Sequence, residues 1–370
     1  MISNSVSNKS WIFKKYNEQD ILFFKENYSL DEITSKLLSI RNIKKEDVQA
    51  FLKPSIKNFL PNPDILNDMQ KSTKRITEAI LQKHKIGIFG DYDVDGASAT
   101  ALLANFFNSI NVPNEIYIPD RKKEGYGPSV DSFKKLIDNG VKLILTVDCG
   151  TLSFDAINYA SNNKTDVIVL DHHQSEINLP KAYSVVNPNR LDDKSDLKYL
   201  CAAGVTFMFL IALNKNLRLS NYFIDRKIIE PNLLEYLDLV ALGTICDVVP
   251  LVGLNRAIVA QGLKVLESKR NLGLKTLFDI CDIKSKPNVY HIGYQLGPRI
   301  NAGGRVGKSS HGANLLIKNN PKDVFKIASE LDYFNKERQI LENDVLNKIL
   351  KNIGDKIHDS IIVINGKNWH

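Results

Sequence analysis

Asp91, Asp93 and Asp95 alternate along residues 91–96, directly after the apolar run at 86–90. Apolar and β-branched residues that end in glycine and acid predict a buried strand leading into a turn. Because alternate residues of an extended segment point the same way, Asp91 and Asp93 are expected to converge on one point. Clustered carboxylates repel one another unless protons or cations intervene, and a hard divalent cation is the usual solution. This segment therefore predicts a metal site.

The arrangement of an apolar run followed by an acid recurs twice along the chain. The run at 141–147 ends at Asp148, and the run at 166–170 is followed by an Asp-His-His motif at 171–173. A single aspartate after a strand is more often a turn former or a helix cap. Three such ends together favour one shared site, because ligands of open α/β sheets bind outside the carboxyl ends of the strands.

Five ordered sequence blocks resemble the DHH phosphoesterase superfamily. They are the aspartates of residues 91–96, Asp148, Asp-His-His at 171–173, Gly-Thr-Ile-Cys-Asp-Val-Val-Pro-Leu at 243–251 and Gly-Pro-Arg-Ile-Asn-Ala-Gly-Gly-Arg at 297–305. The first block and the last two are most similar to the RecJ family, whose members degrade single-stranded DNA from the 5′ end. The resemblance extends from about residue 45 to the C-terminus.

The resemblance implies two metal positions, with Asp148 as the best candidate for a ligand shared by both ions. The ligands that it implies are Asp91, Asp93, Asp148, His172 and Asp247. Oxygen and imidazole donors without thiolate favour a hard or borderline ion, so two Mn²⁺ ions are expected, with Mg²⁺ as the alternative. Two such ions would polarise phosphoryl oxygens and generate hydroxide from bridging water.

The remaining residues of these motifs are expected to act beside the metal. His173 would either orient the scissile phosphate or act as an acid on the leaving oxygen. Asp171 is expected to hold a histidine in one tautomer, as outer carboxylates do. Asp95 is expected either to do the same or to cap the helix that follows. Some relatives carry a histidine where this chain has Phe89, which implies that one ligand is missing or replaced by water.

Two further segments have residues that suit a nucleic-acid backbone. In residues 297–305, unobstructed glycine amides and two arginines would hold phosphates, and a glycine turn with surface arginines is the alternative. The residues concerned are Arg299, Gly303, Gly304 and Arg305. Tyr126 follows the basic stretch at 121–123, which would make a stacking and backbone site. A solvated loop is the equal alternative there.

The alternation of strands and helices from about residue 85 to 188 predicts an α/β fold with a doubly wound, mainly parallel sheet. A helical part, a long connecting helix over 323–353 and the start of a truncated second domain are expected to follow. A helix is also predicted over 97–109. The predicted domains are an N-terminal extension at 1–45, a DHH catalytic domain at 46–318, a connecting helix at 319–353 and a stub of a DHHA1 domain at 354–370.

Composition narrows the class of protein but does not identify it. The chain has 370 residues and a formal charge of +7, which is compatible with a polyanionic substrate. No apolar stretch approaches the length of a membrane span, and the N-terminus lacks the order of a secretory signal, so the expected location is the cytoplasm. The four cysteines show no Cys-x-x-Cys spacing, which argues against a zinc knuckle or a disulfide framework.

The leading hypothesis is a Mn²⁺-dependent 5′→3′ exonuclease that hydrolyses single-stranded DNA in recombination and repair. The resemblance implies single-stranded DNA as partner, with a single-stranded-DNA-binding protein or a helicase as further partners. The truncated second domain leaves two alternatives open. One is a DHH phosphatase or short-oligonucleotide nuclease, and the other is a remnant that binds nucleic acid but turns over little.

Overall fold

The computed structural model describes residues 6–7, 9–353, 361–366 and 369. The chain divides into two compact units, of which the first comprises residues 1–60 and 251–260 and the second residues 61–250 and 261–370. The second unit contains the β-sheet and every site residue predicted from the sequence. None of the helices in the described part of the chain has the length and apolar character that a bilayer crossing requires.

The first unit is helical. Its helices are α1 Glu18–Tyr28, α2 Glu32–Ile40, α3 Val48–Leu52 and α4 Ile56–Phe59, with a 3-10 turn at Lys45–Asp47. Asn17 and Asp31 begin α1 and α2, because their side-chain oxygens accept hydrogen bonds from amides of the first turn. Phe24, Leu38 and Val48 form its buried core.

The second unit is built on a five-stranded sheet in which every neighbouring pair of strands is parallel. The strands are β1 Ile86–Gly90, β2 Asn114–Tyr117, β3 Leu143–Val147, β4 Asp166–Leu170 and β5 Ser184–Val186, in the order β2-β1-β3-β4-β5. The predicted α/β fold class is therefore confirmed. The sequence analysis missed β2, because its residues are polar and half-buried at the edge of the sheet and form no apolar run.

Helices cover both faces of this sheet, which is why β1 and β3 are buried along their whole length. The helices next to the sheet are α5 Met69–Leu81, α6 Val94–Ser109, α7 Val130–Asp138, α8 Phe154–Asn162 and α9 Ala202–Leu219. The helices α7 and α8 pack together over a core that includes Phe89, Phe133 and Ile157. On the opposite face, α6 contacts β1, β2 and β3 and packs against α9, which in turn packs against α5.

The rest of the second unit is helical and packs beside α6 and α9. Its helices are α10 Tyr222–Arg226, α11 Leu237–Cys246, α13 Leu272–Ile280, α14 Gly297–Arg305, α15 His311–Ile317 and α16 Pro321–Ile353, with 3-10 turns at Pro63–Ile65 and Leu233–Tyr236 and a π-helical turn at His291–Leu296. The helix α12 Gly253–Glu267 is divided, because its residues 253–260 belong to the first unit and its residues 261–267 to the second. The long helix predicted at 323–353 begins two residues earlier, at Pro321, and packs against α13, α14 and α15.

The described part of the predicted stub of a second domain forms no regular secondary structure. Residues 361–366 belong to neither a helix nor a strand. Most of the predicted stub, including residues 354–360, lies outside the described residues. The boundaries of the four predicted domains stay predictions.

Candidate metal centre

Three aspartates lie side by side because the strands that precede them are paired in register. Gly90 of β1 pairs with Val147 of β3, and Val147 pairs with Leu170 of β4. The next residue of each strand is an aspartate, so Asp91, Asp148 and Asp171 share the carboxyl edge of the sheet. The strand order reverses between β1 and β3, and ligands of doubly wound sheets bind at this switch point.

Asp93 joins the cluster through a helix cap and not through an extended strand. The helix predicted at 97–109 begins three residues earlier, at Val94, and Asp93 is its N-cap. One carboxylate oxygen of Asp93 accepts a 2.9 Å hydrogen bond from the amide of Gly96. A Cβ atom on Gly96 would lie 2.7 Å from the carbonyl oxygen of Asp91, so only glycine permits this tight turn.

The structure brings all five predicted ligands together. Candidate ligand atoms lie within 4.8 Å of one another in three sets, which are Asp91 with Asp93 and Asp148, Asp148 with His172 and His173, and Asp95 with His172 and Asp247. Nε2 of His172 lies 3.3 Å from Oδ1 of Asp148 and 3.7 Å from Oδ2 of Asp247. Asp148 and His172 each belong to two sets, so they lie at the centre of the cluster.

The chemistry of this cluster fits a divalent cation. Oδ1 of Asp91 and Oδ1 of Asp148 are buried and accept no hydrogen bond from the described residues. Burial and the neighbouring charge of Asp93 raise the pKa of Asp91 to about 7. The same two causes raise the pKa of Asp148. Buried carboxylate oxygens without partners are rare unless an ion or a water satisfies them, and oxygen ligands suit hard cations.

Asp171 and His173 form a hydrogen-bonded pair beside the cluster. Nδ1 of His173 lies 2.8 Å from Oδ1 of Asp171, whose other oxygen accepts from the amide of Thr151. Burial opposes ionisation of Asp171, but the hydrogen bonds from His173 and Thr151 hold its pKa below the usual range. The bond to Asp171 raises the pKa of His173 to about 8. Asp171 thus makes the contact that was predicted for it, and His173 is the histidine that it orients.

Asp95 caps a helix, although not the one that the sequence predicted. Its carboxylate accepts hydrogen bonds of 2.6 and 2.9 Å from the amides of Ala202 and Ala203, which begin α9. The helix that directly follows, α6, is capped by Asp93 instead. Asp95 is also 3.8 Å from Nε2 of His172. It therefore links the start of α6, the start of α9 and a candidate ligand.

The position where some relatives carry histidine is part of the hydrophobic core. Phe89 is fully buried and stacks on Tyr117 with ring centroids 5.5 Å apart. The rings of Phe89 and Phe133 of α7 are packed edge to face, with centroids 5.7 Å apart. This side chain offers no ligand to a metal, as the sequence analysis expected.

Gly303 and Gly304, whose amides were predicted to hold a phosphate, lie in a helix and not in the turn that was the alternative. Both lie buried inside α14, where backbone amides are used within the helix. A Cβ atom on Gly304 would lie 3.1 Å from the ring of Tyr92, and one on Gly303 would lie 3.0 Å from Leu331. The glycines therefore allow close packing against the aspartate loop and against α16.

Arg299 is also placed differently from the prediction. Its Nε donates a 2.8 Å hydrogen bond to Asp332, and its Nη1 donates to the carbonyl of Gln295 at 2.7 Å. These bonds tie α14 to α16. The guanidinium is therefore engaged within the fold and not free for a phosphate.

Arg305 remains a candidate for phosphate binding. It is exposed, and no described residue forms an ion pair with it. It lines a cleft of about 210 Å³ together with Cys246, the residue before Asp247. Arg338 of α16 lines the same cleft, and sequence reasoning missed it because only the packing of α16 on α14 brings it there.

Tyr126 lies beside the candidate metal centre, and contacts with Asp148 and His173 hold its side chain in place. Its hydroxyl donates a 3.1 Å hydrogen bond to the main-chain carbonyl of Asp148. Its ring packs edge to face with the imidazole of His173, with ring centroids 6.1 Å apart. Tyr126 and His173 also line a cavity of about 590 Å³ beside the N-terminal ends of α7 and α8. In the preceding basic stretch, the guanidinium of Arg121 lies 5.1 Å from the ring centroid of Tyr92.

Known proteins are similar to this chain in both sequence and fold. Residues 85–244 match the DHH family, N-terminal domain. The chain is 31% identical to the single-stranded-DNA-specific exonuclease RecJ of Bacillus subtilis over 368 residues, which are 98% of this chain and 45% of the relative. It is 37% identical to RecJ of Escherichia coli over 294 residues, which are 79% of this chain and 51% of that protein.

A crystal structure of exonuclease RecJ bound to manganese superimposes with a TM-score of 0.69 at 32% sequence identity. The match covers 79% of this chain and 71% of that one. The chain belongs to the RecJ branch of the DHH family. Its family match contains the Asp91, Asp148 and Asp171 motifs, and it ends three residues before Asp247. The chain spans about half the length of the curated RecJ relatives that it matches.

Proposed function

We propose that the second compact unit is a metal-dependent exonuclease that hydrolyses single-stranded DNA in the 5′→3′ direction, in recombination and repair. The observation that carries the proposal is the pair of buried carboxylate oxygens of Asp91 and Asp148, which accept no hydrogen bond from the described residues, at the switch point of the sheet. The names of the RecJ relatives supply the substrate class. Mn²⁺ is the proposed ion, with Mg²⁺ as the alternative, because the donors are oxygen and imidazole.

Two cation positions follow from the side chains that lie together. Asp91, Asp93 and Asp148 would hold one. Asp148 and Asp247, whose carboxylate oxygens lie 3.3 and 3.7 Å from Nε2 of His172, would hold the other together with that histidine. Asp95 approaches His172, but both of its oxygens already accept amide hydrogen bonds of α9. Divalent ions at such positions neutralise phosphate charge and lower the pKa of bound water.

His173 is proposed to contact the phosphate directly. Its Nδ1 is held by Asp171, while the side chain is 48% exposed, so its Nε2 faces away from the buried carboxylate. Hydrogen bonding to Asp171 keeps the pKa of the imidazole at about 8, so the ring is mostly protonated at neutral pH. A protonated imidazole in this position can donate to a phosphate oxygen or to the leaving oxygen.

Arg305 and Arg338 are proposed to bind backbone phosphates next to the scissile one. They line the same cleft as Cys246, and the candidate ligand Asp247 directly follows Cys246 in the chain. Arg338 also bonds Asn335 and Glu342, which hold its side chain along α16. Two guanidinium groups in one cleft provide planar donors that suit phosphate oxygens.

Comparing three substrates side by side would test the proposed activity. Single-stranded DNA labelled at its 5′ end, the matching duplex and a dinucleotide would each be incubated with the chain in Mn²⁺, and again with a chelator. We expect rapid release of labelled mononucleotide from the single strand alone, and none when the metal is chelated. Cleavage of the dinucleotide in preference to the long strand would favour a short-oligonucleotide nuclease, and equal cleavage of the duplex would contradict the proposed specificity.

The location and partners complete the proposal. We place the activity in the cytoplasm, where a single-stranded-DNA-binding protein or a helicase would present the strand. Adding either protein to the single-strand digestion should raise the rate above that of the chain alone. No change with either protein would remove the partner part of the proposal and leave the nuclease activity untouched.

A further inference from the structure

Two large aromatic side chains stand exposed together near the metal centre. Tyr290 is 59% exposed and Tyr294 is 73% exposed. Their rings are stacked, with centroids 5.2 Å apart and an interplanar angle of 24°. Exposed tyrosines are common singly, but a stacked exposed pair presents a continuous aromatic surface to solvent.

The fold does not require these two rings to be aromatic. They are four residues apart, so helical geometry brings them to one side of the π-helical turn. The opposite side of that turn supplies the packing, since His291, Ile292 and Leu296 are buried. A π-helical turn within a helix is rare and frequently marks a functional site.

This turn adjoins the metal centre through its buried side. Sγ of Cys246 donates a weak 3.8 Å hydrogen bond to the carbonyl of Ile292. Gly293 lines the cleft that also contains Cys246, Arg305 and Arg338. The tyrosine pair therefore lies beside a cleft that contains two guanidinium groups. Cys246, which lines this cleft, directly precedes the candidate ligand Asp247.

We propose that Tyr290 and Tyr294 form a base-stacking platform for a segment of single-stranded nucleic acid that extends beyond the nucleotide being cleaved. The inference rests on the proposed nuclease function and adds a second, non-catalytic subsite to it. Backbone phosphates of that segment lie on Arg305 and Arg338, and its bases stack on the tyrosine rings. Stacking on aromatic side chains tolerates any base, because every base has a π-face.

A nucleic-acid strand fits this surface better than a protein partner does. The patch consists of two rings, whereas a specific protein interface needs about 800 Å² on each side. The neighbouring cleft carries Arg305, which forms no ion pair with any described residue. Aromatic rings beside a positively charged groove are the combination that binds single strands without sequence preference.

The test is the double variant Tyr290→Leu/Tyr294→Leu, which keeps an apolar side chain but removes both rings. Tyr333→Leu is the matched control, because Tyr333 is also 59% exposed but lies on α16 and donates to Glu337. Binding of fluorescent oligothymidylates of increasing length would be measured by anisotropy in a chelator, where no cleavage occurs. We expect the double variant to bind the long oligomers at least about tenfold more weakly, and the control to bind as the wild type does.

Two further measurements distinguish a loss of stacking from a loss of catalysis or of folding. The rate of hydrolysis at saturating single-stranded oligomer in Mn²⁺ should be unchanged in the double variant, because the tyrosines contact only nucleotides beyond the one being cleaved. The variant Tyr290→Phe/Tyr294→Phe keeps both rings and should bind the long oligomers normally.

Equal affinity of wild type and double Leu variant for every oligomer length would overturn the inference. So would a double Leu variant that binds oligomers normally but loses affinity for a protein partner. If the wild type bound long oligomers through the tyrosines but hydrolysed none of them in Mn²⁺, the proposed function would fail while the platform stood.

Discussion

The hydroxyl of Tyr126 donates a 3.1 Å hydrogen bond to the main-chain carbonyl of Asp148. Asp148 has a φ of 61°, in the left-handed region that few residues other than glycine adopt. Gly125 and Gly127, on either side of Tyr126, also have positive φ angles, of 82° and 77°. The left-handed residues around Tyr126 therefore position its hydroxyl to hold the left-handed backbone of Asp148. That aspartate belongs to two of the candidate ligand sets.

Replacing the hydroxyl of Tyr126 should weaken catalysis without unfolding the protein. Tyr126→Phe keeps the ring against His173 but removes the donor to Asp148, so we expect the rate to fall by roughly tenfold and stability by about 1 kcal/mol. Hydrolysis rates and Mn²⁺ half-saturation would be measured, with Tyr126→Leu as the variant that loses the ring as well. An unchanged Mn²⁺ half-saturation in Tyr126→Phe would show that the bond does not position Asp148.

Substituting Asp148 itself should abolish hydrolysis and spare the fold. Asparagine tolerates the left-handed conformation that Asp148 adopts, so Asp148→Asn changes the ligand charge with little backbone strain. We expect a rate loss of at least about a hundredfold, because a carboxylate shared by two ions would serve both. Thermal unfolding would check that the fold is kept. More than a tenth of the wild-type rate at saturating Mn²⁺ would contradict the two-ion assignment.

Metal affinity should rise with pH across neutrality. Burial and the charge of Asp93 raise the pKa of Asp91 to about 7, so a proton occupies the carboxylate below that pH and competes with the cation. We expect Mn²⁺ binding to weaken by up to about tenfold for each pH unit below 7, and to level off above it. The Mn²⁺-induced shift in melting temperature at pH 6 and pH 8 measures this. In Asp91→Asn the pH dependence should be smaller, and an equal dependence in both proteins would exclude Asp91 as its source.

Most of the candidate metal centre could be predicted because its candidate ligands follow strands with strong apolar signals. The runs that end at Asp91, Asp148 and Asp171 became β1, β3 and β4, and parallel strands bring their carboxyl ends to one edge. The sequence also predicted that a carboxylate would orient a histidine. What it did not show was the cap by Asp95, since that side chain bonds α9, which begins at Ala202, far along the chain.

The positions of the residues proposed to bind phosphate were predicted less well, for a physical reason. Two adjacent glycines, Gly303 and Gly304, are typical of a turn, but here they continue α14 because close contacts with Tyr92 and Leu331 leave no room for a side chain. The partner of Arg299, Asp332, lies on another helix and cannot be recognised from sequence spacing. Tertiary packing therefore overrides local propensity at these positions.

The close approach of α11 to Asp95 predicts a glycine that cannot be replaced. A Cβ atom on Gly243 would lie 2.4 Å from Oδ1 of Asp95 and 2.7 Å from Cβ of Ala203, both of which are buried and fixed. We expect Gly243→Ala to destabilise the fold by about 2–4 kcal/mol and to weaken Mn²⁺ binding, because Asp95 must move beside His172.

Gly293→Ala is the control for that substitution. Its added Cβ atom would meet only Ile245, at an ordinary 3.5 Å, so its stability should match or exceed that of the wild type. Urea denaturation of both variants measures the difference. Similar midpoints for the two would show that the space around Asp95 is not limiting.

Asp238 is a buried carboxyl group whose neutralisation should stabilise the protein above pH 6. It is 3% exposed at the start of α11, and burial raises its pKa to about 6. An unfolded aspartate ionises near pH 4, so the folded state holds the extra proton between pH 4 and 6. The contribution of this group to stability is therefore full below pH 4, falls as the pH rises to 6, and is lost above it.

The variant Asp238→Asn removes this loss while keeping an oxygen for the 2.8 Å hydrogen bond from the amide of Leu239. We expect it to be about 1–3 kcal/mol more stable than the wild type at pH 7.5, with the difference shrinking towards zero as the pH approaches 4. Urea denaturation across this range measures the effect. Asp131→Asn, at an exposed position in the first turn of α7, is the matched control and should show no such trend. A stability difference for Asp238→Asn that stays constant with pH would mean that the carboxyl group does not carry its proton in the folded protein.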